Sequence, residues 1–171
     1  MTRFLAIPET DLEPLATVLN TLRLEALGDN RYRGRNLSQL GGRVYGGQVL
    51  AQATMVAADT LPPAEDRLVN SITAAFLSPG AIDSPTDFEV AELNDGRSFS
   101  TRTVNAIQNG RIIFASRISA QLHQPGPSFG SPQPEAPDPE TLPSSVDFFA
   151  SLNDPRGHIM STTNSLDMRH V

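Results

Sequence analysis

The stretch Arg43-Val44-Tyr45-Gly46-Gly47-Gln48-Val49-Leu50-Ala51-Gln52-Ala53-Thr54-Met55-Val56-Ala57-Ala58-Asp59 decides the fold. Val49, Ala53, Val56 and Ala57 recur at i, i+4, i+7 and i+8, which predicts a helix from Gln48 to Asp59. Leu50, Ala51, Met55 and Ala58 fill most of the remaining circumference, so the helix is apolar nearly all round. Such a helix is buried. Its many alanines let a sheet approach closely and curve around it. Leu61-Pro62-Pro63 stops it, because proline ends helical hydrogen bonding.

Downstream, alternation replaces the helical period. Leu68, Asn70, Ile72, Ala74 and Phe76 are assigned to one face of a strand, closed by Ser78-Pro79-Gly80. Phe88 and Val90 flank Glu89 in the next, and Asn94-Asp95-Gly96 signals a hairpin. A third strand runs from about Ser98 to Ile107. Asn109-Gly110 is the strongest two-residue turn signal in the chain. The last strand carries Ile112, Phe114, Ile118, Ala120 and Leu122 at even positions. An antiparallel meander over one buried helix makes the fold class α+β.

Upstream, Leu12, Leu15, Leu19 and Leu22 predict a helix over 11–24 with Asp11 as N-cap, ended by Gly28-Asp29-Asn30. Residues 31–37 read as an edge strand. Half of the fourteen prolines lie between Pro125 and Pro143, which marks 125–143 as an extended linker. Beyond it, residues 144–153 hold one apolar cluster (Val146, Phe148, Phe149, Leu152), and the rest is polar and weakly patterned.

With 171 residues, 39% hydrophobic, the chain accommodates one ordinary domain and some additional chain. A net charge of −6 disfavours nucleic acid. The thirteen cations, all arginine, are scattered. The absence of cysteine excludes disulfides and thiolate metal sites. His123, His158 and His170 show no metal-pair spacing, and no cofactor motif is present. No stretch is apolar enough to span a membrane, and no secretory signal opens the chain. The expectation is a cytoplasmic protein without cofactor.

A family resemblance rests on four ordered stretches. Arg43–Ala53 resembles the central-helix motif of the N-terminal half of type II acyl-CoA thioesterases. Phe76-Leu77-Ser78-Pro79-Gly80 resembles that family's strand-end motif, which usually has arginine where this chain has Ser78. Asp95–Arg102 and Ala106–Phe114 are similar to its two hairpin motifs. The resemblance implies a hotdog fold, a long helix wrapped by a curved antiparallel sheet, over residues 1–124 with the leading helix. It also implies an acyl-CoA substrate and a second hotdog domain, whose first strand Leu166–Val171 resembles.

The Asp, Thr or Ser, and Gln that act on the thioester in this family belong to that second domain, so no catalytic residue is transferred. Asn70 and Thr73 stand where the family's first half commonly has histidines. The candidate substrate-binding residues are Tyr45, Gly46, Gly47 and Gln48 at the helix start, with Arg97 and Ser98 in the first hairpin. Helix-start amides can cradle a developing oxyanion, and an arginine suits a CoA phosphate. The same residues equally serve a tight turn and close packing. Two functions follow: an acyl-CoA thioesterase acting by direct attack of water, or a non-catalytic acyl-binding or assembly module. A hydratase, the weaker third option, needs an Asp–His pair that the motif region lacks. Exposed sheet edges predict pairing with a second hotdog domain or a second copy.

Overall fold

The computed structural model describes residues 7–38, 41–63, 66–163 and 165–169. They divide into two compact units, one built on Leu19–Gln124 and the other on Glu9–Val18 with the residues from Pro125 onward.

The first unit is a six-stranded, wholly antiparallel sheet with one helix packed on it. Its elements are β1 (Glu25–Gly28), β2 (Arg31–Gly34), the helix Gly46–Asp59, β3 (Arg67–Phe76), β4 (Thr86–Asp95), β5 (Phe99–Gln108) and β6 (Arg111–Leu122). The helix is called α2, because a short α1 (Leu15–Asn20) precedes it. The spatial order is β1-β2-β4-β5-β6-β3. The meander is therefore β4–β5–β6 alone; β3 crosses over to pair with β6 and forms an outer edge.

The α2 helix buries Val49, Ala53, Met55, Val56, Ala57 and Ala58. The core residues Phe88, Val90, Val104, Ala106, Phe114 and Ile118 come from the sheet. Small side chains on the helix let these larger ones approach. Each fully buried Val or Met contributes about 1.5–3 kcal/mol. Tyr32 joins this core, and its hydroxyl donates to Asp59 at 3.0 Å. Burial, then that hydrogen bond, pushes the Tyr32 phenol up to about 12. Asp59 is otherwise exposed at the helix end, as the sequence predicts.

Several boundaries differ from the sequence reading. The N-terminal helix covers only Leu15–Asn20, Leu12 is exposed, and Asp11 does not cap it. Gly28-Asp29-Asn30 is the tight turn of a β1–β2 hairpin, with φ of 87°, 51° and 54°. Strand β3 does not keep one face. A bulge between Val69 and Ser71 switches its parity, so Val69 and Ile72 both pack on the core while Leu68 stays exposed. A second irregularity pairs Ala106 with Phe114 but Ile107 with Ile112, which buries the extra Ile113 and leaves Ile112 exposed. The turn after β4 lies at residues 96–98, with Asn94 and Asp95 still in the strand. Asn109-Gly110 makes the predicted turn, at φ of 50° and 72°.

In the second unit, residues 125–138 form neither helix nor strand, and a 3₁₀ turn spans Pro139–Thr141. Two helices follow, α3 (Ser145–Ser151) and α4 (Pro155–Thr163), and pack together. Ser144 caps α3 through Val146 N and Asp147 N. Asp154 Oδ1 accepts from Arg156 N and Gly157 N at the start of α4. Residues 165–169 form no strand; Met168 O accepts from Ser145 N, and His170 and Val171 lie outside the described residues.

Candidate functional site

The first turn of α2 faces a cavity, and local chemistry explains both. Tyr45 has extended backbone angles and no side-chain cap, while Gln48 N and Val49 N fold back onto its carbonyl at 3.0 and 3.3 Å. The amides of Gly46 and Gly47 precede the first closed turn, so the helix offers them no acceptor. They lie at the positive end of the helix dipole.

The cavity has a volume of about 400 Å³ and is bounded by Val44, Gly46, Val49, Phe76, the segment Leu77–Gly80, Ile113 and Phe114. None of these lining side chains ionises. The wall opposite α2 is fixed by backbone: Leu77 N and Ser78 N donate to Ile113 O, and Val44 N donates to Gly80 O. Gln108, buried beneath it, accepts from Ala81 N at 2.7 Å and donates to Ala81 O, Ser84 O and Thr86 Oγ1. Phe76 leans on Phe114 with ring centres 5.1 Å apart. A Cβ on Gly46 would stand 3.0 Å from Phe76 Cζ, so this glycine is what admits the ring over the helix start.

Of the six sequence candidates, Gly46 alone lines this cavity. Tyr45 is 61% exposed, and its ring covers the spot where a Gly47 side chain would sit. Gln48 turns inward: Oε1 accepts from Leu37 N at 3.0 Å and Nε2 donates to Arg35 O at 3.0 Å. Its amide is committed to the loop after β2. Gln52, one turn on and fully buried, donates to Thr21 O and the same Arg35 O.

Arg97 and Ser98 lie elsewhere. Their turn sits at the end of the sheet where Arg67 pairs with Leu122, whereas Phe76 pairs with Phe114 beside the cavity. The length of α2, about 20 Å at 1.5 Å per residue, separates the two ends. That far end holds a buried network the sequence did not disclose. Arg102, 1% exposed, donates to Thr60 O and Oγ1 at the C-terminus of α2 and to Asp95 Oδ2 at 3.0 Å. Arg67 donates to Ser100 Oγ and Gly96 O. A cation at a helix C-terminus complements its dipole. Arg102 thus has a structural role.

Residues 35–121 match the family described as the acyl-CoA thioesterase N-terminal domain. The chain belongs to that family. Human acyl-coenzyme A thioesterase 8 is 35% identical over 136 residues, which is 79% of this chain and 42% of the human protein. A solved tesB protein of Mycobacterium avium subspecies paratuberculosis is 37% identical with a TM-score of 0.68, over 75% of this chain and 50% of that one. Acyl-CoA thioesterase II TesB2 of Mycobacterium marinum is 40% identical with a TM-score of 0.65, over 74% and 47% of the two chains. This chain spans half or less of each of these relatives.

The acyl-CoA thioesterase N-terminal fold is accordingly a hotdog, with α2 as its central helix. The two departures noted in β3 are structural here. Asn70 donates to Gln121 Oε1 across the β3–β6 pair, and Thr73 stands exposed opposite Arg117.

Proposed function

We propose that this chain is the N-terminal hotdog of an acyl-CoA thioesterase and receives the acyl thioester in the cavity at the start of α2. One observation carries the reading: an apolar recess of about 400 Å³ ends on the first turn of the buried helix, beside the Gly46 amide. Apolar walls suit an acyl chain, and a helix-start amide suits its carbonyl oxygen. Gly46 is the contact at the cavity wall, and Tyr45 and Gly47 flank it on the first turn of α2. Gln48 supports them by holding the adjoining loop. Arg97 and Ser98 take part only if the CoA moiety reaches the opposite end of the helix.

Hydrolysis needs a group to accept a proton from water. The cavity lining contains none, so the reaction draws on a carboxylate from a second hotdog domain. Strand β3 offers the place for that domain or for a second copy: it is an edge strand with Leu68 and Phe76 exposed. Among the described residues no helix is long and apolar enough to cross a membrane, which is compatible with the cytoplasmic location proposed here.

The lining's lack of any ionisable side chain also favours the second reading, an acyl-binding module without activity of its own. The test is thiol release from short- and long-chain acyl-CoA by this chain beside the full-length human relative. Binding with little turnover fits the proposal. Turnover equal to the relative's would overturn the assignment of the proton acceptor to a second domain.

A further inference from the structure

The β5–β6 pair is irregular at one point, and that point borders the cavity. Ala106 pairs with Phe114 and Ile107 with Ile112, so Ile113 is one residue more than β5 can match. Strict alternation would place Ile113 on the face opposite Phe114. Instead both side chains are buried, Phe114 completely and Ile113 at 5% exposed, and both residues line the cavity. One extra residue in a strand re-aims a side chain, and such bulges are over-represented next to active sites.

The contact with Gly80 shows where the Ile113 side chain ends. A Cβ on Gly80 would stand 3.0 Å from Ile113 Cδ1 and 3.4 Å from Val44 Cγ2, so three lining residues converge there. The Ile113 carbonyl accepts from Leu77 N and Ser78 N at 2.8 and 3.3 Å, which ties its backbone to the Leu77–Gly80 wall. The lining is also graded in exposure. Phe76 and Leu77 are 61% and 57% exposed, whereas Val49, Ile113 and Phe114 are almost wholly buried. The first two form the rim of the recess; the last three, with the buried Gly80, form its floor.

Resting on the reading of the cavity given above, we propose that Ile113 is a specificity-determining residue that sets the length of acyl chain the cavity accepts. The bulge turns its side chain into the floor, and the last carbons of the bound chain rest against Cδ1. Gly80 takes part by lacking a side chain, which leaves that methyl its place. The ligand class this selects is an acyl group whose chain ends at the floor. A longer chain gains nothing from its surplus methylenes, because they stay outside the recess.

The probes are non-hydrolysable CoA ketones, in which methylene replaces the thioester sulfur and the chain grows by one methylene at a time. Calorimetric titration of the full chain shows affinity rising about fourfold per methylene until the floor is reached, then levelling off. Ile113→Val deletes Cδ1 alone, a change small enough for a core to tolerate, and moves that break about one methylene later. Gly80→Ala pushes a carbon against Cδ1 and moves the break earlier. A break at the same length in wild type and Ile113→Val overturns the role of Ile113 and leaves the cavity assignment intact. Wild-type affinity that does not change with chain length, or no binding of any ketone, overturns the cavity assignment and the role of Ile113 with it.

Discussion

Gln48 and Gln52 stand one turn apart on α2 and both donate their side-chain amides to a single acceptor, the carbonyl of Arg35, each at 3.0 Å. Gln48 Nε2 also lies 3.4 Å from Gln52 Oε1, so the two amides lean on each other. The chain after β2 cannot continue the sheet ladder here, and buried backbone groups need partners. The two glutamines supply them from the helix. Gly34 makes room, since a Cβ there would stand 2.7 Å from Gln52 Nε2. This is why a buried, alanine-rich helix carries two glutamines on one side.

Gln52→Leu leaves the Thr21 carbonyl without this donor, and a loss of about 1–3 kcal/mol in unfolding free energy is expected. Because the amides share Arg35 O, Gln48→Ala and Gln52→Ala should not add. Urea unfolding of both single variants and the double variant measures the coupling, expected at about 0.5–3 kcal/mol. Strict additivity would show that the shared carbonyl is incidental.

Arg102 is the most consequential charge in the sheet. Arg102→Met leaves Thr60 O without this donor and the partly exposed Asp95 without its main cation, at a cost of about 1–3 kcal/mol. Asp95 adds a pH signature. Burial alone would raise its carboxyl, but hydrogen bonds from Arg102 and Ser100, with the Arg67 guanidinium nearby, outweigh burial and hold it below the usual carboxylate range. A carboxyl held low in the folded state stabilises fully above its unfolded value of about 3.9, and that stability fades as pH falls through the folded value. The stability gap between wild type and Asp95→Asn is therefore widest above about pH 4 and narrows in more acidic solution. Urea midpoints across that window check it; a gap that widens with acid contradicts it.

Gly46→Ala places a methyl against the Phe76 ring at the cavity. Phe76 is 61% exposed and can swing outward, and alanine favours the helix, so stability changes by no more than about 1 kcal/mol. Affinity for an acyl-CoA ketone analogue falls by about tenfold or more, as expected for one surplus carbon in a fitted pocket. Equal affinities in parallel titrations of the two proteins would move the acyl group elsewhere.

Among the described residues, strand β3 is unpaired on its outer side. Such an edge invites pairing with another chain. Light scattering of this chain at micromolar concentration should report a dimer or larger. Replacing Ala74 with proline, an exposed position of that edge whose amide faces away from β6, should lower the mass towards that of one chain. A wild-type mass of one chain counts against the edge as a docking surface.

The helix and the central meander were legible because their signals are periodic: an apolar stripe in 48–59, alternation in β4 and β5, and a sharp turn at Asn109-Gly110. What escaped the reading is non-periodic. The bulge at Asn70 and the extra Ile113 each flip a face, and no residue type announces them. Strand β1 is exposed along its whole length, so alternation could not mark it. Helix α4 is signalled only by Asp154-Pro155, a cap followed by proline at the first helical position. In the candidate site, the glycines were found from their motif. The burial of Arg67 and Arg102 was not, because arginine is ordinarily exposed and only the fold brings their acceptors together. Ser78 was noticed as a departure, but its missing partner is visible only in three dimensions.

The most direct test of the acyl site follows backbone amide resonances while the ketone analogue is added. The account predicts that the Gly46 and Gly47 amides move most, together with Leu77 and Ser78, while Arg97 and Ser98 at the far end stay nearly still. Shifts concentrated at residues 96–98, with the first turn of α2 unmoved, would contradict it.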